Sequence, residues 1–207
     1  DMVLKINPNW VKLDDYSDAI QSKYKKRLRK VFKKSNDLVI KEFQLNDLTN
    51  HLEKMKELYN NVYSKSAFSG PKFDVSIYID FMKDENLKFY VFGFFFKNNL
   101  VGFSSDFLNN TTLQSYFIGL DYSVNEQFDL YNRILFHTIE QGIKLKAETI
   151  RFGRTAAEFK STIGAIPTNS KSAVYINNKL LNFFFKPIIK NIKPKDWVQR
   201  RPFKVAQ

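Results

Sequence analysis

The chain has no cysteine among its 207 residues and only two histidines, His51 and His137, far apart in sequence. That excludes a disulfide scaffold, cysteine-ligated zinc, iron–sulfur clusters and a thiol nucleophile. It also argues against a histidine-rich metal site, so no metal is expected. Glycine is sparse: seven residues, each standing singly. No G-x-x-x-x-G-K-[ST], G-x-G-x-x-G, G-x-S-x-G or H-E-x-x-H pattern is present, which removes the common nucleotide, serine-hydrolase and zinc-peptidase signatures. Long hydrophobic runs are missing too. The longest, Phe89 to Phe96, has eight residues and is too short to span a bilayer. No signal peptide is visible, and a cysteine-free chain suits a reducing compartment, so a cytoplasmic location is expected. The chain starts at Asp1, with Met2 second, and already reads as structured by Trp10, which suggests a piece of a longer protein.

What is present is a globular composition, 43% apolar and 26% charged, with 21 phenylalanines and a formal net charge of +12. The length suits one sizeable domain, or one domain plus an arm. The positive charge is localised. Gln21 to Lys34 holds eight basic residues and no acid, and Lys179 to Lys204 holds eight with one acid, Asp196, which leaves −3 on the rest. Tyr16, Ile20, Tyr24, Leu28 and Val31 or Phe32 recur at helical spacing and predict one amphipathic helix over Asp14 to Ser35. Lys23, Arg27, Lys30 and Lys34 fall on another face. Such a face is either simply solvated or binds anions: RNA phosphates, a phosphorylated cofactor or an anionic lipid surface. The basic, aromatic C-terminal stretch is expected to pack its Phe residues on the domain and leave its lysines wet.

Between these ends, LVIKEF (Leu38 to Phe43) reads as a strand. Helices are expected from Asn46 or Asp47 through Val62, and over Asp74 to Asp84. Leu87 to Phe96, Leu100 to Leu108 and Leu113 to Tyr122, separated by Asn-rich turns, read as an antiparallel meander. Gln127 to Lys144 is helical, with His137 on its polar face and expected to be exposed. Thr149 to Arg154 is the next strand, reached by a parallel crossover. A short helix around Ala156 to Ile163, ended by Gly164, precedes a last strand at Ala173 to Asn177. The organisation is an α/β fold with a mixed, mostly antiparallel central sheet flanked by helices and a basic N-terminal helix. Residues 1–36 form the arm, 37–178 the domain, and 179–207 a basic aromatic extension.

At Phe152 to Ala165 the chain reads FGRTAAEFKSTIGA. Gly153 beside Arg154 at a strand end allows a sharp exit. Arg154 and Lys160 could face one anion across that turn, although Arg154 could equally pair with Glu158 or Asp121. This segment resembles the strand–turn–helix of the FemAB-like branch of the GNAT acyltransferase superfamily. The order of elements is also similar to the GNAT fold. Asp14-Asp15-Tyr16 through Arg27 resembles that branch's first helix, and Ile118-Gly119-Leu120-Asp121-Tyr122 with Leu130-Tyr131 resembles its fourth strand and crossover helix.

The resemblance implies a transferase moving an acyl or aminoacyl group to a small-molecule amine or peptide acceptor. It places Phe117, Gly119 and Tyr131 beside the acyl donor. Asp121 would be the base or amine-orienting acid, and Tyr122 or Tyr175 would protonate a leaving group. Arg154, Lys160, Lys23, Arg27 and Lys30 would bind anionic groups. One departure stands out. Where GNAT enzymes cradle the coenzyme A pyrophosphate on a Gly-rich loop, this chain has YSVNEQFDLYNR, Tyr122 to Arg133, with no glycine and with Glu126 and Asp129. Acetyl-CoA is therefore doubtful as donor. FemAB-like proteins are similar in lacking that loop, and the resemblance implies aminoacyl-tRNA instead. The other reading is a catalytically silent GNAT-like module that binds RNA or another anionic partner.

Overall fold

The computed structural model describes residues 1–65, 71–169, 177 and 197–204. A seven-stranded sheet runs in the order β2-β3-β4-β5-β6-β1-β7. Its strands are β1 (Met2–Lys5), β2 (Val39–Glu42), β3 (Phe89–Phe96), β4 (Asn99–Asn109), β5 (Thr112–Leu120), β6 (Thr149–Arg151) and β7 (Ile166–Pro167). All neighbours are antiparallel except β5 and β6, which the helical crossover makes parallel. The meander β3-β4-β5 stands where the Phe- and Val-rich runs predict it. Its first turn puts Lys97 and Asn98 at positive φ, and its second puts Asn110 there, the tight geometry that Asn-rich hairpin turns favour.

Helices cover both faces. On one lie α3 (Leu45–Lys65), a 3₁₀ turn at Val75–Ile77 and α4 (Tyr78–Lys83). Leu48, Met55, Leu58 and Tyr59 of α3 are buried at helical spacing, and with Tyr78, Phe89 and Phe103 they form an aromatic-rich core. On the other face lie α1 (Leu13–Ala19), α2 (Ser22–Lys34), α5 (Tyr122–Phe128), α6 (Leu130–Lys144) and α7 (Ala157–Thr162). There Leu4, Tyr16, Leu28, Val31, Leu135, Ile139 and Ile150 are buried together.

Four expectations change. β1 is not among the expected elements, yet it lies inside the sheet between β6 and β7, with Val3 opposite both Arg151 and Ile166. Residues 1–36 therefore contribute a strand as well as a basic helix. The single helix expected over Asp14 to Ser35 is broken. Ile20 is extended (φ −92°, ψ 155°), because the C-terminal segment crosses there: Gln21 N–H donates to Pro202 O and Lys204 N–H to Ala19 O. The crossover is broken as well, since Asp129 in the left-handed region (φ 51°) separates α5 from α6. His137, expected to be exposed, is 7% exposed and stands edge-on to Phe92 and Phe94 of β3. The strand expected at Ala173 to Asn177 lies outside the described residues apart from Asn177.

α7 stops as the Gly164 pattern predicts. Gly164 N–H donates to Ser161 O and Ala165 N–H to Lys160 O, with Gly164 at φ +94°. That is a Schellman cap, which needs a left-handed residue and so favours glycine.

Candidate functional site

β5 and β6 are hydrogen-bonded over three residue pairs only, Thr112 with Thr149, Leu113 with Ile150 and Gln114 with Arg151. β5 continues six residues further, to Leu120. Beyond Gln114 the two strands part, and among the described residues no strand fills the wedge between them. β6 leaves because Gly153, at φ +79°, turns the chain away toward α7.

Beside the wedge β5 carries a β-bulge. Ser104 stands opposite Ile118 and Asp106 opposite Ser115, so two steps on β4 match three on β5. Ser105 fills the gap: its Oγ accepts from Phe117 N–H (3.1 Å), donates to Phe117 O (2.8 Å) and meets Tyr78 Oη at 2.7 Å. Phe117 N–H therefore turns toward β4, as does Asp121 N–H, which donates to Val101 O. Peptide groups alternate along a strand, so Ile118 and Leu120 direct theirs to the side that β6 has left. Asn61 Nδ2 reaches Leu120 O on that side at 3.1 Å.

Each face of the bulge offers a different environment. On the α3 side, Tyr59 and Phe73 pack on Phe117, at 5.4 and 4.6 Å between ring centroids, and open into a cavity of about 350 Å³ with Lys56, Lys72 and Asp74 at its rim. On the α6 side, Asp106 is 1% exposed and burial pushes its carboxyl up to about 7. Ser115's side chain favours its charged form, yet no hydrogen bond of full geometry reaches either carboxyl oxygen, nor Ser104 Oγ on the same face.

Of the residues singled out in the sequence, Lys160 is held inside: it is 4% exposed, its ammonium donates to Phe152 O under the Gly153 turn, and burial lowers its pKa to about 8. Arg154 lies at the surface beyond that turn, so the two cations do not form one exposed pair. Glu158 pairs with Arg200 at 2.6 Å. Asp121 caps α5, with Oδ1 accepting from Ser123 N–H (2.9 Å) and Ser123 Oγ (2.6 Å). Tyr122 follows it, with Lys65 Nζ 3.8 Å above its ring and its phenol raised by burial. Gly119 faces α3, where a Cβ would collide with Phe103 and Leu58. Tyr131 is largely buried against Phe159, its phenol pushed up to about 12. Tyr175 lies outside the described residues.

Lys23 and Arg27 meet α7. Arg27 stacks on Phe159 (4.3 Å) and reaches Thr162 Oγ1 (3.4 Å), beside a groove of about 560 Å³ that Tyr24 and Arg200 also line. Lys30 is exposed further along α2. At the helix end Lys34 Nζ donates to Glu126 O (2.8 Å), so α2 lies across α5, within the glycine-free Tyr122 to Arg133 segment. Sequence reasoning misses Asp106, Ser105 and Ser115. Their signal is three polar residues inside two strand runs, but only the register shows that they meet. Among the described residues no group of three His, Asp or Glu side chains gathers as for a metal, and no helix is long and apolar enough to cross a membrane.

No protein-family model matches the sequence, and no curated protein does. Solved structures do. FemX superposes over 80% of this chain with a TM-score of 0.58 at 8% identity, and the chain spans 58% of the FemX chain. A conserved protein of unknown function from Bacteroides thetaiotaomicron VPI-5482 superposes over 81%, with a TM-score of 0.54 at 12% identity, and 56% of that chain is covered. An aminoglycoside acetyltransferase from an uncultured soil metagenomic sample, meta-AAC0020, is matched over 70% of this chain and 97% of its own at 18% identity, with a TM-score of 0.42 too low to weigh. The mixed, mostly antiparallel sheet, parted between two parallel middle strands and flanked by helices, is a GNAT-like fold.

Proposed function

We propose that this protein is a FemAB-like transferase that moves an acyl or aminoacyl group from an activated donor to an amine, on a small molecule or a peptide. The observation that carries the reading is the wedge: β5 bulges just where β6 turns away, and among the described residues no strand pairs with the β5 edge beyond Gln114. A donor carbonyl lying along that edge meets the N–H of Ile118, which favours the oxyanion that develops as the amine attacks, and the Leu120 N–H, about 7 Å further along, is left for another oxygen of the donor. The amine loses a proton to solvent, the tetrahedral intermediate collapses to the amide, and the leaving thiol or hydroxyl departs protonated. Asp121 orients the amine through Oδ2, the oxygen not engaged by Ser123. Tyr122, whose phenol stays protonated at neutral pH, supplies the leaving group's proton. Lys160 places a positive charge at the wedge base.

Two features favour aminoacyl-tRNA over acetyl-CoA. The Tyr122 to Arg133 segment lacks glycine and is folded as helix beneath α2. On α2, Lys23, Lys26, Arg29, Lys30 and Lys33 are exposed and make no ion pair among the described residues, while Leu28 and Val31 commit the apolar face to the core. A face so arranged suits phosphates better than lipid, into which it has no apolar side chain to insert. The test supplies acetyl-CoA and alanyl-tRNA in parallel, with a lysine-bearing peptide as acceptor. Transfer from alanyl-tRNA is expected. Replacing Lys23, Arg27 and Lys30 by alanine should weaken tRNA binding and flatten its salt dependence by about 0.7–0.9 log units per log unit of salt for each phosphate no longer neutralised. No transfer from either donor, with salt-sensitive RNA binding intact, would instead leave the catalytically silent binding module.

A further inference from the structure

The row of residues crossing the sheet where the wedge begins holds a device that the transfer chemistry described so far does not use. Asp106 of β4 stands opposite Ser115 of β5, and Ser115 is the first β5 residue after the last one paired with β6. Both side chains lie on the α6 face. Gly102, two positions from Ser104 and four from Asp106, directs its Cβ position at Leu130 and Ile134 of α6, and Leu113, two positions before Ser115, is buried in the core beneath α6. Asp106 is sealed, at 1% exposure, whereas Ser115 is half-buried, and among the described residues no strand pairs with β5 on its far side. A carboxyl with two incompletely bonded oxygens, buried beside a hydroxyl at the point where the β5–β6 pairing ends, needs an explanation.

Resting on the transferase reading, we propose that Asp106 is a positioning residue that sets which way the Ser115 hydroxyl points. When protonated, Asp106 donates its O–H to Ser115 Oγ, and the hydroxyl's own proton is left to point into the wedge. There it donates to the carbonyl oxygen of the acyl donor, beside the Ile118 amide. When ionised, Asp106 can only accept, so it takes the Ser115 proton as its own hydrogen bond and presents lone pairs to the wedge. A lone pair facing a developing oxyanion opposes it. Ser115 is thus the catalytic residue and Asp106 acts through it.

The other titratable groups around Asp106 are few. Tyr90 of β3 stands opposite it in register, Tyr78 of α4 reaches Ser105 from the opposite face, and His137 of α6 lies against Phe92 and Phe94 along β3. Burial raises the pKa of the Tyr78 phenol and lowers that of His137, so both are neutral near pH 7. Burial of Asp106 places the switch near neutrality, at about 7. Donation into the wedge is therefore complete at acid pH and is lost as pH rises through that value.

The test follows transfer from alanyl-tRNA or acetyl-CoA against pH, alongside the carbon-13 signal of the Asp106 carboxyl. The wild type should lose kcat as pH rises through about 7. Ser115→Ala and Asp106→Ala should each lower kcat at least tenfold at acid pH with little change in KM. Asp106→Asn, whose amide always donates, should retain the acid-pH rate within a few fold and abolish the alkaline fall. The Asp106 signal should titrate near 7, and at higher pH in Ser115→Ala, since that hydroxyl favours the anion. A Ser115→Ala protein with the wild-type rate, or an Asp106→Asn protein that keeps the alkaline fall, overturns the inference while the transferase reading stands. A wild-type protein that moves neither donor overturns the transferase reading and removes the role of Ser115 with it.

Discussion

Lys160 shows how one buried charge ties stability to function. Burial disfavours its ammonium and lowers its pKa from the usual 10.5 to about 8. Between those values the unfolded chain still holds the proton that the folded chain has released, so stability rises with pH across that window. Below pH 8 the folded state carries the full penalty. At 1.36 kcal/mol per pKa unit this is about 3 kcal/mol, offset by about 1 kcal/mol for the hydrogen bond to Phe152 O. Lys160→Met keeps the aliphatic stem and removes the charge. It should raise unfolding free energy at pH 7 by about 1–2 kcal/mol in urea denaturation and erase the rise above pH 8. The same variant should lose transfer activity if the ammonium serves the wedge, the trade expected of a destabilised functional group. An unchanged denaturation midpoint would mean that the head group is more hydrated than its 4% exposure implies.

At the scale of elements, the boundaries legible in the sequence are those set by local chemistry. The meander follows from Phe- and Val-rich runs broken by Asn-rich turns, and the end of α7 from Gly164. What distant chain segments impose is not legible. The α1–α2 break exists because residues 202–204 cross at Ile20, and nothing within Asp14 to Ser35 announces that. Two-sided burial of β1 removes the alternation that marks a half-buried strand, so MVLK carries no period to read. In the site, the spacing of Arg154 and Lys160 is visible, but not that Lys160 turns inward. Asp106 and Ser115 are neighbours only through a bulge that no periodicity encodes.

The Gly164 cap and the C-terminal crossing meet at Phe203, whose ring packs on Trp10 and Tyr16 at 5.8 and 6.0 Å and occupies the space that a Cβ on Gly164 would need. Gly164→Ala should therefore cost about 2–4 kcal/mol, from the left-handed backbone and the displaced ring together. Combined with Phe203→Ala it should cost less than the sum of the two, because the collision is gone. A strictly additive double-mutant cycle in chemical denaturation would show that the ring and the cap do not touch.

At the scale of the molecule, the parted sheet is held by its far half. β6 has only three residues on which to pair with β5, and its other edge is taken by β1, which also carries β7. The outer wall of the wedge is thus a three-strand unit whose central member comes from the first five residues. Met2, Val3 and Leu4 are 2%, 8% and 0% exposed. Burying three such side chains contributes about 1.5–3 kcal/mol each, which together rivals the roughly 5–15 kcal/mol that typically separates folded from unfolded states. Mutating a surface residue would leave this wall standing, but removing residues 1–5 should not. A protein starting at Ile6 is expected to lose β6 and β7 from the sheet and to lower its thermal midpoint by well over about 10 °C, or to fail to unfold cooperatively. The α3 core, with Tyr59, Tyr78 and Phe103, lies on the other side of the wedge and should persist longer under hydrogen exchange than Ile150 and Phe152. If amides on both sides of the wedge instead lost protection together, the sheet would be one cooperative unit, and the short β5–β6 pairing would not be the seam along which it divides.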